Sequence, residues 1–255
     1  MRITYLPVLG TLRELYQMPR DVRRFRSYIA RLTGGTDDIV LPIGVANPMA
    51  KEQALEKLEA LLDQGAEDVG AATTAEAQQR LAAIPCPVDI TAALVLVDDV
   101  GGGWTNRYTT EASVRFPSRG ALKRPFATGL LWTSESPTDE AIRQDLLSAI
   151  YRVAYQQRHG LPSRLQTMLD QEGLAAVFAG RQPALEPTVL AHAQAIVHAH
   201  VADTTYPTAF ACLYGDTAAE QLGYTPLGLP ARAGFEVALA DAVTERRDPL
   251  AALAA

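Results

Sequence analysis

The segment Ile90–Val97 constrains the fold of this chain more than any other stretch. Its residues, ITAALVLV, are apolar apart from one threonine. Pro85 and Pro87 precede the segment, and two aspartates and three glycines follow it closely. A short apolar run between such turn-forming residues predicts a buried β-strand. The chain is therefore expected to build a sheet around this strand.

Two later segments are expected to complete a three-stranded meander. From residue 106 to residue 116 apolar and polar residues alternate, which is typical of a half-buried strand. Phe126–Thr133 is again largely apolar. Strands this close in sequence commonly pair with one another, so we predict an antiparallel three-strand meander. Shorter apolar runs predict further strands at Ile3–Val8, Ile39–Val45 and Thr208–Tyr214.

Helical periodicity accounts for most of the remaining chain, because apolar residues recur three and four positions apart. Helices are predicted after Pro19, from Asn47, from Thr73, from Ser136, and over 163–179, 187–201, 217–222 and 231–244. The element order predicts an α/β protein, with α+β as the alternative, in which helices flank a mixed sheet. We expect one globular domain, residues 1–255, with an Ala-rich tail after residue 246 that is prone to fray.

The helix after Pro19 is expected to be amphipathic. Val22, Phe25, Ile29 and Leu32 fall on one face, which we expect to be buried. The arginines of the helix share the opposite face: Arg20, Arg23, Arg24 and Arg31. We interpret this basic face as solvated; the alternative is a site for an anionic substrate or an acidic partner.

Charge and composition argue against some classes of function. The net charge of −6 argues against a protein that binds nucleic acid through its phosphates. No apolar run approaches the ~20 residues of a membrane helix, so we expect no membrane partner. The two cysteines are isolated, which favours a reducing, cytoplasmic compartment over a disulfide framework. Many arginines and alanines beside few lysines indicate a bacterial coding bias.

The most informative stretch for function is DDVGGGWTNRY, which directly follows the strongest predicted strand. Asp98 and Asp99 place two carboxylates where open sheets bind their ligands, beyond the carboxyl end of a strand. Three glycines then allow a backbone to approach a ligand closely, and an indole, an amide and a guanidinium follow. These residues are Gly101, Gly102, Gly103, Trp104, Asn106 and Arg107. The combination is typical of a binding loop.

The same residues also fit an ordinary turn. Asp-Asp-x-Gly-Gly-Gly is a common composition between two antiparallel strands. In that interpretation Trp104 belongs to the core and Arg107 pairs with Glu111. The glycine spacing does not match a dinucleotide-binding fingerprint, because a strand rather than a helix is expected after it.

Further polar residues are candidates for the edge of the predicted sheet. Asn47 and Asp216 each follow a predicted strand, so we hypothesise that they converge with Asp98 on a ligand. Asp216 has an alternative role as the cap of the next helix. Ser134 and Glu135 end the last meander strand, and the reversal of that strand is expected to place them at the opposite rim.

We interpret the chain as an enzyme that acts on a small polar or anionic molecule through the loop after the core strand. Asp98 or Asp99 would act as general base or metal ligand, while Asn106 and Arg107 would orient an anionic group. The alternative is a non-catalytic binding module or a subunit of a homo-oligomer, assembled through its Ala- and Leu-rich C-terminal helices. The four histidines lie at no clear metal-binding spacing, so the metal and the cofactor stay open.

Overall fold

A computed structural model describes residues 1–85, 87–100 and 105–254 of this chain. Contacts divide the chain into two compact units, unit 1 (Met1–Val153) and unit 2 (Ala154–Ala255). The described strands all belong to unit 1, whereas the described elements of unit 2 are helices. No helix in the described part of the chain has both the length and the apolar character needed to cross a membrane.

Unit 1 combines strands with helices. Its described strands are β1 (Ile3–Tyr5), β2 (Ile90–Val97) and β3 (Phe126–Trp132). Its helices are α1 (Leu9–Gln17), α2 (Val22–Thr33), α3 (Glu52–Asp63), α4 (Ala66–Arg80), α5 (Arg107–Arg115) and α6 (Asp139–His159), the last of which continues into unit 2. A 3-10 helix (Arg119–Lys123) leads into β3.

Unit 2 packs its helices around a central apolar helix, α11. Its elements are α7 (Leu165–Phe178), α8 (Pro187–Ala199), α9 (Tyr206–Tyr214), α10 (Asp216–Gln221), α11 (Ala233–Thr244) and α12 (Pro249–Ala254). Helix α11 packs against α7, α8 and α9. A Cβ at Gly173 would collide with the backbone oxygen of Ala238, so α7 and α11 approach closely there. The tail after residue 246 contains α12, whose Leu253 is buried.

The strands of unit 1 form one sheet in the order β1-β2-β3, and both strand pairs are parallel. Strand β2 lies in the centre, where Ile90 pairs with Ile3 and Thr91 pairs with Phe126. Its bounds are those predicted from sequence, and every residue of β2 except Thr91 is buried. A central parallel strand is covered on both faces, which explains its unbroken apolar run.

The predicted antiparallel meander is wrong, and the sheet is parallel rather than mixed. Residues 107–115 form α5 instead of a strand, so β2 reaches β3 through a helical crossover. Asn106 accepts a hydrogen bond from the Thr109 amide at 3.0 Å and so caps α5. One turn apart in the same helix, Arg115 donates to Glu111 at 2.6 Å. These local contacts favour a helix over the strand that the alternating pattern predicted.

Two of the other predicted strands are not strands in the structure. Ile39–Val45 is irregular, in keeping with Pro42, which cannot donate to a strand ladder. Thr208–Tyr214 lies in α9, where Pro207 occupies the first turn and the residues from Ala209 onward are buried. A short apolar run that is buried all round fits a helix as well as a strand, so periodicity alone misassigned it.

The apolar face of α2 is exposed rather than buried, contrary to the prediction, whereas the basic face is exposed at Arg23 as predicted but buried at Arg24. Arg24 and Tyr28 are the buried residues of this helix. Val22, Phe25 and Ile29, which were expected in the core, are 59%, 40% and 39% exposed. The burial of Arg24 accompanies the contacts that this residue makes with α1 and with the segment before α3. Unit 1 therefore buries a guanidinium and exposes an apolar stripe on the same helix.

Candidate functional site

The carboxyl ends of β2 and β3 meet at one edge of the sheet. Strand β2 ends at Val97 and continues into Asp98 and Asp99, while β3 ends at Trp132 and continues into Thr133. Since the two strands are parallel, the residues after them share this edge. The expectation that Ser134 and Glu135 lie at the opposite rim is therefore wrong.

Asp98 is the most enclosed carboxylate at this edge, with 3% of the residue exposed. The side-chain amide of Asn47, itself a buried residue, donates to Asp98 Oδ2 at 3.2 Å. The Thr133 hydroxyl lies 3.3 Å from Asp98 Oδ1. Asn47 is fixed in turn by its own Oδ1, which accepts a hydrogen bond from the Met49 amide at 2.9 Å. The structure thus brings Asn47 and Asp98 together, as hypothesised, although Asn47 follows an irregular segment and not the strand on which that hypothesis rested.

Asp99 is held by a dense set of donors. Its Oδ1 accepts from the Thr133 hydroxyl at 2.9 Å and from the Ser134 amide at 3.0 Å, and its Oδ2 accepts from the Ser134 hydroxyl at 2.6 Å. Burial acts to raise the pKa of Asp99, but these hydrogen bonds and the Arg107 charge outweigh burial and lower the pKa. Asp99 is therefore ionised, and most of its acceptor capacity is used within the protein.

Arg107 joins the same edge from the first turn of α5. It donates to Asp99 Oδ2 at 3.4 Å and forms an ion pair with Glu135. Its guanidinium carbon lies 4.7 Å from the centre of the Trp132 ring. The alternative pairing of Arg107 with Glu111 is wrong, because Glu111 pairs with Arg115 inside α5. We refer to Asn47, Asp98, Asp99, Arg107 and Thr133 as the strand-end cluster.

Other candidate residues take different positions. Asn106 uses its side chain to cap α5. Asp216 belongs to unit 2 and follows α9 rather than a strand, so the reason for placing it at the sheet edge does not hold. Its carboxylate accepts the backbone amides of Leu227, Gly228 and Leu229 at 2.8, 3.0 and 3.0 Å, which closes a loop. The predicted ligand-binding residues Gly101, Gly102, Gly103 and Trp104 lie outside the described residues.

The histidines and carboxylates of the described segments do not assemble a metal centre. No group of three His, Cys, Asp or Glu residues among them is placed to hold a metal ion. His192 lies 3.1 Å from the Gly228 backbone oxygen, and His159 lies 2.9 Å from that of Ala252. His198 pairs with Asp241 at 2.7 Å. These contacts fit structural roles.

A cleft of unit 1, with a volume of about 800 Å³, was not anticipated from the sequence. Its wall is formed by the end of α1, the start of α2 and the start of α3, and we call it the α3 cleft. The lining residues are Tyr16, Gln17, Met18, Pro19, Arg20, Arg24, Ala50, Lys51, Glu52, Gln53, Leu55 and Glu56. The sequence offered the arginine face of α2 as an alternative anion site, but the cleft itself was not predicted, because its walls come from three segments that only the fold brings together.

Tyr16 connects the α3 cleft electrostatically with the strand-end cluster. The residue is 6% exposed, and its hydroxyl has no hydrogen-bond partner in the described structure. Burial raises the pKa of Tyr16, the Arg24 charge opposes that rise, and the Asp98 carboxylate adds to it. The negative charge of Asp98 therefore acts on Tyr16, a residue of the cleft wall.

No protein-family model, curated protein or solved structure matches this chain.

Proposed function

We propose that unit 1 is the catalytic part of a cytoplasmic enzyme that acts on a small polar or anionic molecule at the carboxyl edge of its parallel sheet. The observation that carries this proposal is the position of Asp98, a buried carboxylate at the end of the central strand. Parallel α/β sheets present ligand-binding residues at this edge. A carboxylate held in a fixed orientation by a neighbouring amide is suited to accept a proton from a bound substrate.

The two neighbouring aspartates are suited to different roles. Asp99 is a weak base, because Thr133, Ser134 and Arg107 stabilise its ionised form. We therefore assign proton transfer to Asp98 and a positioning role to Asp99, which ties the end of β2 to the end of β3. The role of general base is favoured over that of metal ligand, since no group of three potential ligands is found in the described residues.

We assign Arg107 and Asn106 the role of holding the start of α5 in place beside the ends of β2 and β3. Arg107 is bound to Asp99 and Glu135 and lies over Trp132, so it fixes the start of α5 against the ends of both strands. Asn106 caps that helix. Both are positioning residues for the start of α5, and neither is assigned direct contact with the substrate.

The experiment compares Asp98→Asn with the wild-type protein. Each protein is incubated with a defined pool of small carboxylates, phosphates, amino acids and sugars, and consumption is followed by mass spectrometry. We expect the wild type to consume at least one compound and Asp98→Asn to be slower by about 10²–10⁴-fold, the usual contribution of a general base. Asp63→Asn, which alters an exposed carboxylate in unit 1, is the matched control. Wild-type rates in Asp98→Asn would contradict the proposal.

A second candidate function is supported by the exposed apolar stripe of α2. Val22, Phe25 and Ile29 lie one helical turn apart, and exposed apolar patches mark interaction surfaces. In this account the chain is a non-catalytic subunit whose copies associate through α2. Light scattering after size exclusion should then show a dimer that Phe25→Glu dissociates. A monomer over a wide concentration range would contradict this alternative.

A further inference from the structure

The Arg24 side chain is buried at the wall of the α3 cleft, and no carboxylate of the described residues pairs with it. Only 3% of the residue is exposed, and it lines the cleft beside Tyr16. One of its terminal nitrogens donates to the Ala50 backbone oxygen at 3.0 Å. Its Nε has no hydrogen-bond partner in the described structure. Most of the donor capacity of this guanidinium is therefore not used by the described protein groups.

Burying a guanidinium without a carboxylate partner is costly. The contact that partly offsets this cost is the Tyr16 ring, whose centre lies 4.7 Å from the guanidinium carbon. Burial lowers the pKa of Arg24, and the neighbouring Arg20 charge lowers it further. The cationic form is thus less stable here than in water, and an anion in the cleft would reverse that loss.

Three further features of the cleft favour an anion. Arg20 and Lys51 are exposed cations in its lining. Helix α3 starts at the cleft, and its N-cap residue, Lys51, supplies no side-chain acceptor to the first amides. The amino end of a helix carries a partial positive charge and commonly binds anions.

We propose that the α3 cleft binds the oxyanion, phosphate or carboxylate, of a small molecule, with Arg24 as the principal donor and Arg20 and Lys51 at its rim. Glu52 and Glu56 line the same cleft. Their charges disfavour a polyanion, so the ligand carries one anionic group. A volume of about 800 Å³ accommodates the rest of a small organic molecule. This site stands independently of the catalytic role of Asp98.

The test is isothermal titration of the wild-type protein with inorganic phosphate and, separately, with acetate, both at constant ionic strength set by sodium chloride. We expect saturable binding of at least one of the two anions in the millimolar range or tighter. The anion that binds identifies the oxyanion as phosphate or carboxylate.

The variants then locate the bound anion. Arg24→Gln is expected to weaken binding by about 10- to 100-fold, the effect of losing a charge-assisted hydrogen bond. Arg20→Gln combined with Lys51→Gln is expected to weaken it by about threefold to tenfold, as removal of two exposed charges does. Arg26→Gln, an exposed arginine on the same helix outside the cleft lining, is the matched control and should bind as the wild type does.

Circular dichroism checks that each variant is folded, and the double variant decides the outcome if Arg24→Gln does not fold. Asp98→Asn removes a negative charge that acts at the cleft wall, so it should bind the anion at least as tightly as the wild type. Failure of the catalytic proposal can therefore be told from failure of this one. No saturable binding up to about 50 mM of either anion would overturn the proposal, since this is weaker than a specific site provides. Equal losses in Arg26→Gln and in the cleft variants would also overturn it, because they would show general charge attraction.

Discussion

The side-chain amide of Asn47 donates a hydrogen bond to the buried carboxylate of Asp98, 3.2 Å away and 51 positions further along the chain. This contact joins the segment before α3 to the end of the central strand. It orients the carboxylate that we assign as the general base, and it links the edge of the sheet to the element that forms one wall of the α3 cleft. Removal of the Asn47–Asp98 hydrogen bond should therefore lower the free energy of unfolding as well as the catalytic activity.

Asn47→Asp is expected to lower the free energy of unfolding by about 1–3 kcal/mol near neutral pH. The new side chain still offers an oxygen to the Met49 amide, but its second oxygen would face the Asp98 carboxylate. Two carboxylates this close raise the pKa of one of them in the folded state.

The sign of the pH dependence follows from that raised pKa. The folded state of Asn47→Asp would bind a proton more tightly than the unfolded state. The loss of unfolding free energy relative to the wild type should therefore shrink as the pH falls toward about 4. Urea unfolding of both proteins across this range measures the difference. A loss of unfolding free energy that does not change with pH would show that the side chains at positions 47 and 98 are not in contact.

Asp99→Asn is expected to destabilise unit 1 by about 2 kcal/mol near neutral pH, since hydrogen bonds to a charged group are lost. The folded pKa of Asp99 is lowered, so its contribution is present above the unfolded pKa of about 4 and is lost as the pH falls through the folded value. The difference in the free energy of unfolding between the wild type and Asp99→Asn should therefore become smaller below about pH 4. Asp63→Asn serves as the control, and a shift in its stability as large as that of Asp99→Asn would contradict the assignment.

Two glycine-to-alanine substitutions should have opposite effects on stability. At Gly173 a Cβ would meet the backbone of Ala238, so Gly173→Ala should destabilise unit 2 by about 1–3 kcal/mol. At Gly10, within α1, a Cβ would meet nothing within 4 Å. Gly10→Ala should therefore be neutral or stabilising by up to about 1 kcal/mol. Thermal unfolding of both variants tests the close approach of α7 and α11, which a stable Gly173→Ala would disprove.

Cys212 should resist alkylation in the folded protein. Burial, with a smaller contribution from the Asp203 charge, raises the pKa of its thiol to about 12. The reactive thiolate is thus scarce near pH 8. Peptide mass spectrometry after iodoacetamide treatment should find Cys212 labelled only in the presence of denaturant. Rapid labelling without denaturant would instead support an accessible, reactive thiol.

Part of the candidate site was predictable from local sequence. The apolar run Ile90–Val97 between turn residues predicted β2 with its observed bounds, and the strand-end rule drew attention to Asp98. These two inferences succeeded because burial of a central strand and the polarity of the residues after it are both visible in the chain itself. Asn47 was selected for a predicted strand that does not form, so its contact with Asp98 was not explained by that reasoning.

The rest depended on contacts between distant segments. Residues 107–115 carry an alternating pattern, yet the cap supplied by Asn106 and the Glu111–Arg115 pair favour a helix, and the direction of β3 follows from that choice. The burial of Arg24 is set by Tyr16 in α1 and by the Ala50 oxygen before α3. Helical periodicity in α2 alone predicts that the apolar face with Val22, Phe25 and Ile29 is buried, and not Arg24. Only the tertiary structure therefore reveals the cleft.

The most direct test of the central claim separates binding from chemistry in Asp98→Asn. With a substrate found in the pool experiment, the dissociation constant is measured by titration and the chemical step by rapid mixing in a single turnover. The account predicts a dissociation constant within about threefold of the wild-type value and a chemical step slowed by about 10²–10⁴-fold. A variant that binds substrate poorly but converts the bound substrate at the wild-type rate would contradict it, because Asp98 would then bind the substrate without transferring a proton.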